Sequence, residues 1–418
     1  MLKKFAIVIL IILNLNCLIS INIVMADEED NEQINENEIQ QSIIESAAKA
    51  SEDPIINAKS AIIYDRETKQ IIWGKNEYQK RPMASTTKIM TAIIVLENKK
   101  LDEEVIISKK AANTEGSRLK INTSDKMTIR DLLYGLMLRS GNDCAVALAE
   151  YVSGSVEEFA KLMNDKAKEL ELNNTNFVTP HGLDNENHYT TAYELAKLTD
   201  YALNNKKFSE IVNTKNIIIM VNNNARNIYN TNELLGYMQG VNGVKTGFTG
   251  NAGRCLVTSC KRDNNEIITV VLGCDTKKQR TSDSSKLIGY AFNNYSKINL
   301  EEKIKKEFEN WKQINSNRIY INKAQENEIL LELGEISKRI IPIKNGEEKN
   351  INIEINAIYK YEAPLLEGTK IGNVIVKNKD DIIEVVDIKC AQTINKENAI
   401  NYFIKLLGIL NTCLDFSK

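Results

Sequence analysis

Histidine is nearly missing from this chain: 418 residues contain two, His181 and His188. A Ser-His-Asp triad or a histidine-based metal site therefore has little material to work with, and no cofactor or metal is expected. Both histidines read as structural or pocket-lining residues. Neither glycine pattern of the nucleotide-binding folds occurs. No sign of charge dominates, since 54 basic residues face 56 acidic ones, so the balance gives no case for a nucleic-acid partner. Cysteine occurs seven times, but beyond Cys17 the positions scatter from Cys144 to Cys413 without framework spacing, and mostly free thiols are expected in a domain this large.

What is present is a set of three short words in order: Ser85-Thr86-Thr87-Lys88, Ser140-Gly141-Asn142 and Lys245-Thr246-Gly247. A hydroxyl nucleophile, a lysine base, a second hydroxyl with an amide, and a cationic strand are the parts of a serine acyltransferase that works without histidine. Each word alone is weak, and Ser117-Arg118-Leu119-Lys120 matches the first by chance. Context separates the two. Residues 88–96 are apolar enough for a buried helix, whereas Asn122-Thr123-Ser124-Asp125 reads as a turn. Ser85 is thus the nucleophile candidate, with Lys88 beside it on the first turn of a helix. Taken alone, Ser85 reads more simply as a helix N-cap, and the other two words reverse that reading. The helix N-terminus also offers unpaired N–H groups to an oxyanion.

A lysine base has to be neutral, and both burial and the neighbouring cation Lys245 favour the uncharged amine. Ser140 and Asn142 fall on a connector between two helices, where Ser140 can relay a proton to the leaving amine and Asn142 can hold Lys88 and the substrate amide. An ordinary Asn/Gly capping turn is the alternative there. Lys245 opens an antiparallel meander that continues through residues 255–259 and 267–272, turning at Asp263-Asn264-Asn265. A peptide can lie along such a strand with its carboxylate held by Lys245 and Thr246, and Gly247 leaves room for the approach.

With these words the chain resembles the low-molecular-mass penicillin-binding proteins, serine-type D-alanyl-D-alanine carboxypeptidases of peptidase family S11. Thr179-Pro180-His181-Gly182-Leu183-Asp184, Gly243-Val244-Lys245-Thr246-Gly247-Phe248-Thr249 and Ala252-Gly253-Arg254-Cys255-Leu256 resemble further family signatures. The resemblance implies acylation of Ser85 with Lys88 as its base, assistance from Ser140 and Asn142, and a carboxylate held by Lys245 and Thr246. It also implies an oxyanion hole from the N–H groups of Ser85 and Phe248, and an arginine near the carboxylate at Arg280, ahead of a helix beginning near Ser284. Peptidoglycan stem peptides would be the substrate and β-lactams covalent inhibitors. A β-lactamase, a D,D-endopeptidase and a non-catalytic penicillin-binding wall scaffold are the alternatives. Glu169 resembles the deacylating glutamate of class A β-lactamases, but it reads better as the end of an amphipathic helix. The fold implied is mixed α/β, an antiparallel sheet flanked by helices.

The organisation follows. Residues 1–26, with Lys3-Lys4, an apolar run and Val24-Met25-Ala26, read as a signal peptide. A retained anchor is the rival, but Asn14, Asn16 and Asn22 interrupt the run, and Cys17 lacks the small preceding residue expected for lipid attachment. Residues 27–55 form an acidic linker, largely a solvated tether. Residues 56–298 form the catalytic domain, and residues 299–393 a small all-β module without a helix-length apolar segment, with 295–311 an amphipathic connector. Residues 394–418 form an amphipathic helix, apolar over 399–410 except for a stripe at Asn401, Lys405, Gly408 and Thr412. It is too short to span a bilayer and suits a membrane surface, with docking on the β-rich module as the alternative. The protein is therefore expected outside the cell, at the outer face of the cytoplasmic membrane or the wall.

Overall fold

β-Branched alternation builds the central sheet. The computed structural model describes residues 36–48, 53–263, 265–326 and 328–415; the signal-like residues 1–26 lie outside them. Strands β1 (Ser60–Asp65) and β2 (Ile71–Lys75) form a hairpin, and β3 (Val241–Thr249), β4 (Gly253–Arg262) and β5 (Asn265–Cys274) form the meander. All pair antiparallel in the order β2-β1-β5-β4-β3, which leaves β3 at one edge. Because successive strand residues point to opposite faces, Ile62 and Tyr64 enter one core while Ala61 and Ile63 enter another.

On the first face lie α2 (Lys88–Asn98), α3 (Ile129–Leu138), α4 (Asn142–Ser153), α5 (Val156–Glu169) and α6 (Ala192–Leu203). Helix α2 is buried continuously from Lys88 to Val95, so it is apolar all round except for the lysine that opens it and Thr91. The opposite face is covered by α7 (Lys277–Asn294) and α1 (Glu36–Ala48). Over residues 36–48, helix α1 replaces the expected solvated tether. Ile39 is buried against α7 and Ser42 Oγ donates to Ser285 Oγ at 3.2 Å, a narrow apolar contact that a polar composition hides. Among the described residues five cysteines are free, all of them buried.

A second core begins at Leu300. It holds a four-stranded antiparallel sheet of β6 (Leu331–Leu333), β7 (Ile351–Ala357), β8 (Lys370–Asn378) and β9 (Asp381–Cys390) in the order β6-β9-β8-β7. The module is not purely strand. Residues 300–315 form helix α8 (Leu300–Asn315), whose Leu300, Ile304 and Phe308 are buried in this core with Trp311 packed against it, one stripe at helical spacing on an otherwise charged segment. The last described element is helix α9 (Ala399–Asp415). Among the described residues no helix is long and apolar enough to cross a membrane.

Candidate active site

Ser85 lies in a 3-10 turn, Ala84–Thr87, that feeds α2. The turn is tighter than the α-helical start expected from sequence, and two side-chain bonds account for it. Thr86 Oγ1 donates to Met83 O at 2.6 Å and Thr87 Oγ1 to Ala84 O at 2.8 Å, each reaching back three residues. In such a turn positions i and i+3 eclipse, so Lys88 stands directly by the serine. Lys88 Nζ is 2.8 Å from Ser85 Oγ, 2.7 Å from Asn142 Oδ1 and 2.9 Å from the carbonyl of His181. The lysine is fully buried.

Asn142 opens α4, and its amide bridges two segments, since Nδ2 donates to Glu115 O at 2.7 Å while Oδ1 accepts from Lys88. Ser140 precedes it on the connector between α3 and α4, buried and held at φ +60°, a left-handed conformation that a serine adopts only under constraint. Asp143 supplies constraint by accepting from Leu119 N at 3.0 Å and Ile121 N at 3.3 Å. Ser117 to Lys120 therefore lie in a loop braced onto this connector, and their resemblance to the nucleophile word has no helix behind it.

Strand β3 brings the third word to the same turn. A Cβ added to Gly247 would lie 3.1 Å from Ser85 N and 3.2 Å from both Met83 O and the Ala84 Cβ, so a side chain there would press on the turn that carries Ser85 and push it back by a few tenths of an ångström. Lys245 shares the face of Gly247, by strand alternation, and is buried with Nζ donating to Thr246 O at 3.0 Å. The Thr246 hydroxyl, at the next position along this edge strand, lies 2.7 Å from that of Thr231. Phe248 pairs across the sheet with Arg254, whose guanidinium stacks over its ring at 3.9 Å.

Arg280 departs from its expected setting. Helix α7 starts at Lys277 behind a Thr276–Gln279 capping box, so Arg280 lies inside its first turn rather than ahead of the helix. It is buried, and Nη2 donates to both carboxylate oxygens of Glu233 at 2.7 Å, while Lys277 reaches the same carboxylate at 3.2 Å. Glu233 sits two residues beyond Thr231, so the structure links Arg280 to Thr246 through that loop. Sequence reading missed Thr231 and Glu233, because a threonine and a glutamate in a polar loop carry no local signal. It also missed the carbonyls of His181 and Glu115, which no side-chain pattern encodes.

The histidines flank the site without donating a ring to Ser85 or Lys88 among the described contacts. Burial lowers His181 to about 3 and His188 to about 4, so both rings are neutral near pH 7. Glu169 ends α5 in an ion pair with Lys166 at 2.7 Å, a helix end as its periodicity predicts. Among the described residues no cluster of His, Cys, Asp and Glu has metal-binding geometry.

Residues 47–276 match the family described as D-alanyl-D-alanine carboxypeptidase, and residues 308–396 match the penicillin-binding protein 5 C-terminal domain. The D-alanyl-D-alanine carboxypeptidase DacF of Bacillus subtilis is 32% identical over 358 residues, 84% of this chain and 89% of that protein. The crystal structure of the D-alanyl-D-alanine carboxypeptidase DacD from Francisella tularensis superposes with a TM-score of 0.70 at 26% identity, over 84% of this chain and 96% of its own. Penicillin binding protein 5 from Haemophilus influenzae gives 0.66 at 27% identity, over 82% and 99%.

Proposed function

Because the chain belongs to the D-alanyl-D-alanine carboxypeptidase family, we propose that it removes the terminal D-alanine of peptidoglycan stem peptides through an acyl-enzyme on Ser85. The observation that carries this reading is the 2.8 Å contact of Ser85 Oγ with a fully buried Lys88. If Ser85 O–H donates to the lone pair of a neutral Lys88, two amine N–H bonds remain for Asn142 Oδ1 and His181 O. The acceptors then hold the base in place without competing for the proton it takes.

In the proposed cycle Ser85 Oγ attacks the carbonyl of the penultimate D-alanine and its proton passes to Lys88. The N–H groups of Ser85 and Phe248 receive the oxyanion. Lys245 and Thr246 hold the terminal carboxylate, with Arg280 supporting that end of the site through Glu233 and Thr231. When the C–N bond breaks, Ser140 relays the proton from Lys88 to the departing amine. Water then attacks the ester, Lys88 takes its proton, and Ser85 Oγ leaves reprotonated. β-Lactams would acylate the same serine. Product analysis on stem-peptide monomers and cross-linked dimers tests the reading. Release of D-alanine from monomers, abolished in Ser85→Ala, is expected. Cleavage of dimers alone would make it an endopeptidase, rapid turnover of penicillin a β-lactamase, and penicillin binding without product a scaffold.

The site of action follows from the substrate, which lies outside the cytoplasm. We assign residues 1–26 to export and α9 to attachment at the membrane surface. Support for the latter is that Ile400, Phe403, Ile404 and Leu407 of α9 are exposed, while Tyr402 Oη donates to Asn322 Oδ1 at 3.2 Å and so steers the helix from its polar side.

A further inference from the structure

The oxyanion donor proposed at Ser85 belongs to a peptide unit whose carbonyl is that of Ala84. A planar trans amide points its N–H and C=O in opposite directions, so whatever fixes Ala84 O also aims Ser85 N–H. The unit needs fixing, because Ala84 has φ +48°, a left-handed conformation unfavourable for alanine. Ala84 O accepts from Thr87 Oγ1 at 2.8 Å. Gly182 closes over the same carbonyl, where any Cβ would come within 2.0 Å of it.

Behind Thr87 stands His188, with Nε2 2.8 Å from Thr87 Oγ1. Its Nδ1 accepts from Val178 N at 2.9 Å, so the neutral ring carries its proton on Nε2 and donates it to the threonine. Thr87 then has one hydrogen, and Ala84 O receives it. The imidazole is buried and meets the Phe177 ring edge-on at 5.8 Å, so packing supports the orientation that its two hydrogen bonds define. The chain Val178 N–H, His188, Thr87, Ala84 O runs in a single donor direction.

We infer that His188 is a positioning residue for the reaction: through the Thr87 hydroxyl it sets the orientation of the Ala84–Ser85 peptide and so aims the Ser85 N–H at the oxyanion. The inference rests on Ser85 being the acylated residue. Its test is infrared difference spectroscopy of the penicillin acyl-enzyme of the full mature chain, with the ester carbonyl carbon-13 labelled, beside acylation kinetics. In His188→Phe the ester carbonyl stretch moves to higher wavenumber and the acylation rate falls by about 10- to 100-fold, short of the loss of an entire oxyanion donor, while pre-covalent binding is unchanged. His188→Gln, which can both accept from Val178 and donate to Thr87, restores most of both. Thr87→Val reproduces the shift, and combining it with His188→Phe adds nothing further. A ring that only fills space would lower the melting temperature and leave the carbonyl frequency alone. A wild-type frequency and rate in folded His188→Phe, or in Thr87→Val should the former not fold, overturns the inference. Absence of any adduct on wild-type Ser85 would instead overturn the parent reading.

Discussion

At Lys245 the charge and the shape of the side chain contribute separately. Its ammonium is buried on the face of β3 that Gly247 turns toward Ser85, so Lys245→Ala removes a positioned cation from a water-poor site. Turnover of D-alanyl-D-alanine peptides should fall by the roughly 2 to 4 kcal/mol typical of a lost electrostatic partner, with Lys245→Arg retaining part of it; kcat/KM on both variants decides, and near-normal hydrolysis by the alanine variant refutes the role. The histidines make a second residue-scale prediction. Burial is the main cause holding His188 near 4 and His181 near 3, below the 6.5 of a free imidazole; for His188, the carboxylate of Asp184 opposes it. Between those values the unfolded chain binds more protons than the folded one. The stability from keeping the rings neutral is therefore complete above about pH 6.5 and is lost as pH falls toward 4, by on the order of 3 kcal/mol for His188. Urea titrations from pH 7 to 4.5 should show this loss, and His188→Gln should flatten it; an equal slope in the variant contradicts the assignment.

Among the elements, α1 and α9 make opposite predictions about what each helix covers. Helix α1 docks by Ile39 and Ser42 on α7, so Ile39→Asp should cost the ~1.5 to 3 kcal/mol of a buried aliphatic side chain plus a desolvation penalty. It should lower the melting temperature yet leave penicillin acylation intact, since α1 lies on the sheet face opposite α2. An unchanged melting temperature would mean that α1 does not dock in solution. Helix α9 instead leaves Ile400, Phe403, Ile404 and Leu407 exposed, enough apolar surface for reversible binding to a bilayer. The full mature chain should sediment with vesicles containing anionic lipid, and a chain ending at Thr393 should remain in the supernatant while still binding penicillin. Equal sedimentation of the two would place membrane contact elsewhere, and sedimentation of neither would mean that α9 packs on its own module.

For the molecule as a whole, what sequence revealed depended on whether the chemistry lies in side chains close together along the chain. The three words, the β1–β2 hairpin and the β3–β5 meander were legible because each combines local spacing with turn residues. Residues 295–311 read as an amphipathic connector, but that the stripe Leu300, Ile304, Phe308 and Trp311 of helix α8 packs into the second core was not legible among its charged neighbours. The carbonyl of His181 on Lys88, Thr231 on Thr246 and Glu233 on Arg280 were not legible, since each contact joins distant segments and one partner is backbone or a common polar residue. The architecture gathers these parts by setting the edge strand β3 against the turn that opens α2, so the central claim is that Ser85, served by Lys88, is the residue acylated there. It is tested most directly by incubating the mature chain with benzylpenicillin, measuring intact mass and mapping the modified peptide. One penicilloyl group per chain on Ser85, absent from Ser85→Ala and formed about 100-fold or more slowly by Lys88→Ala, is predicted; an undiminished adduct on Ser85→Ala would contradict it.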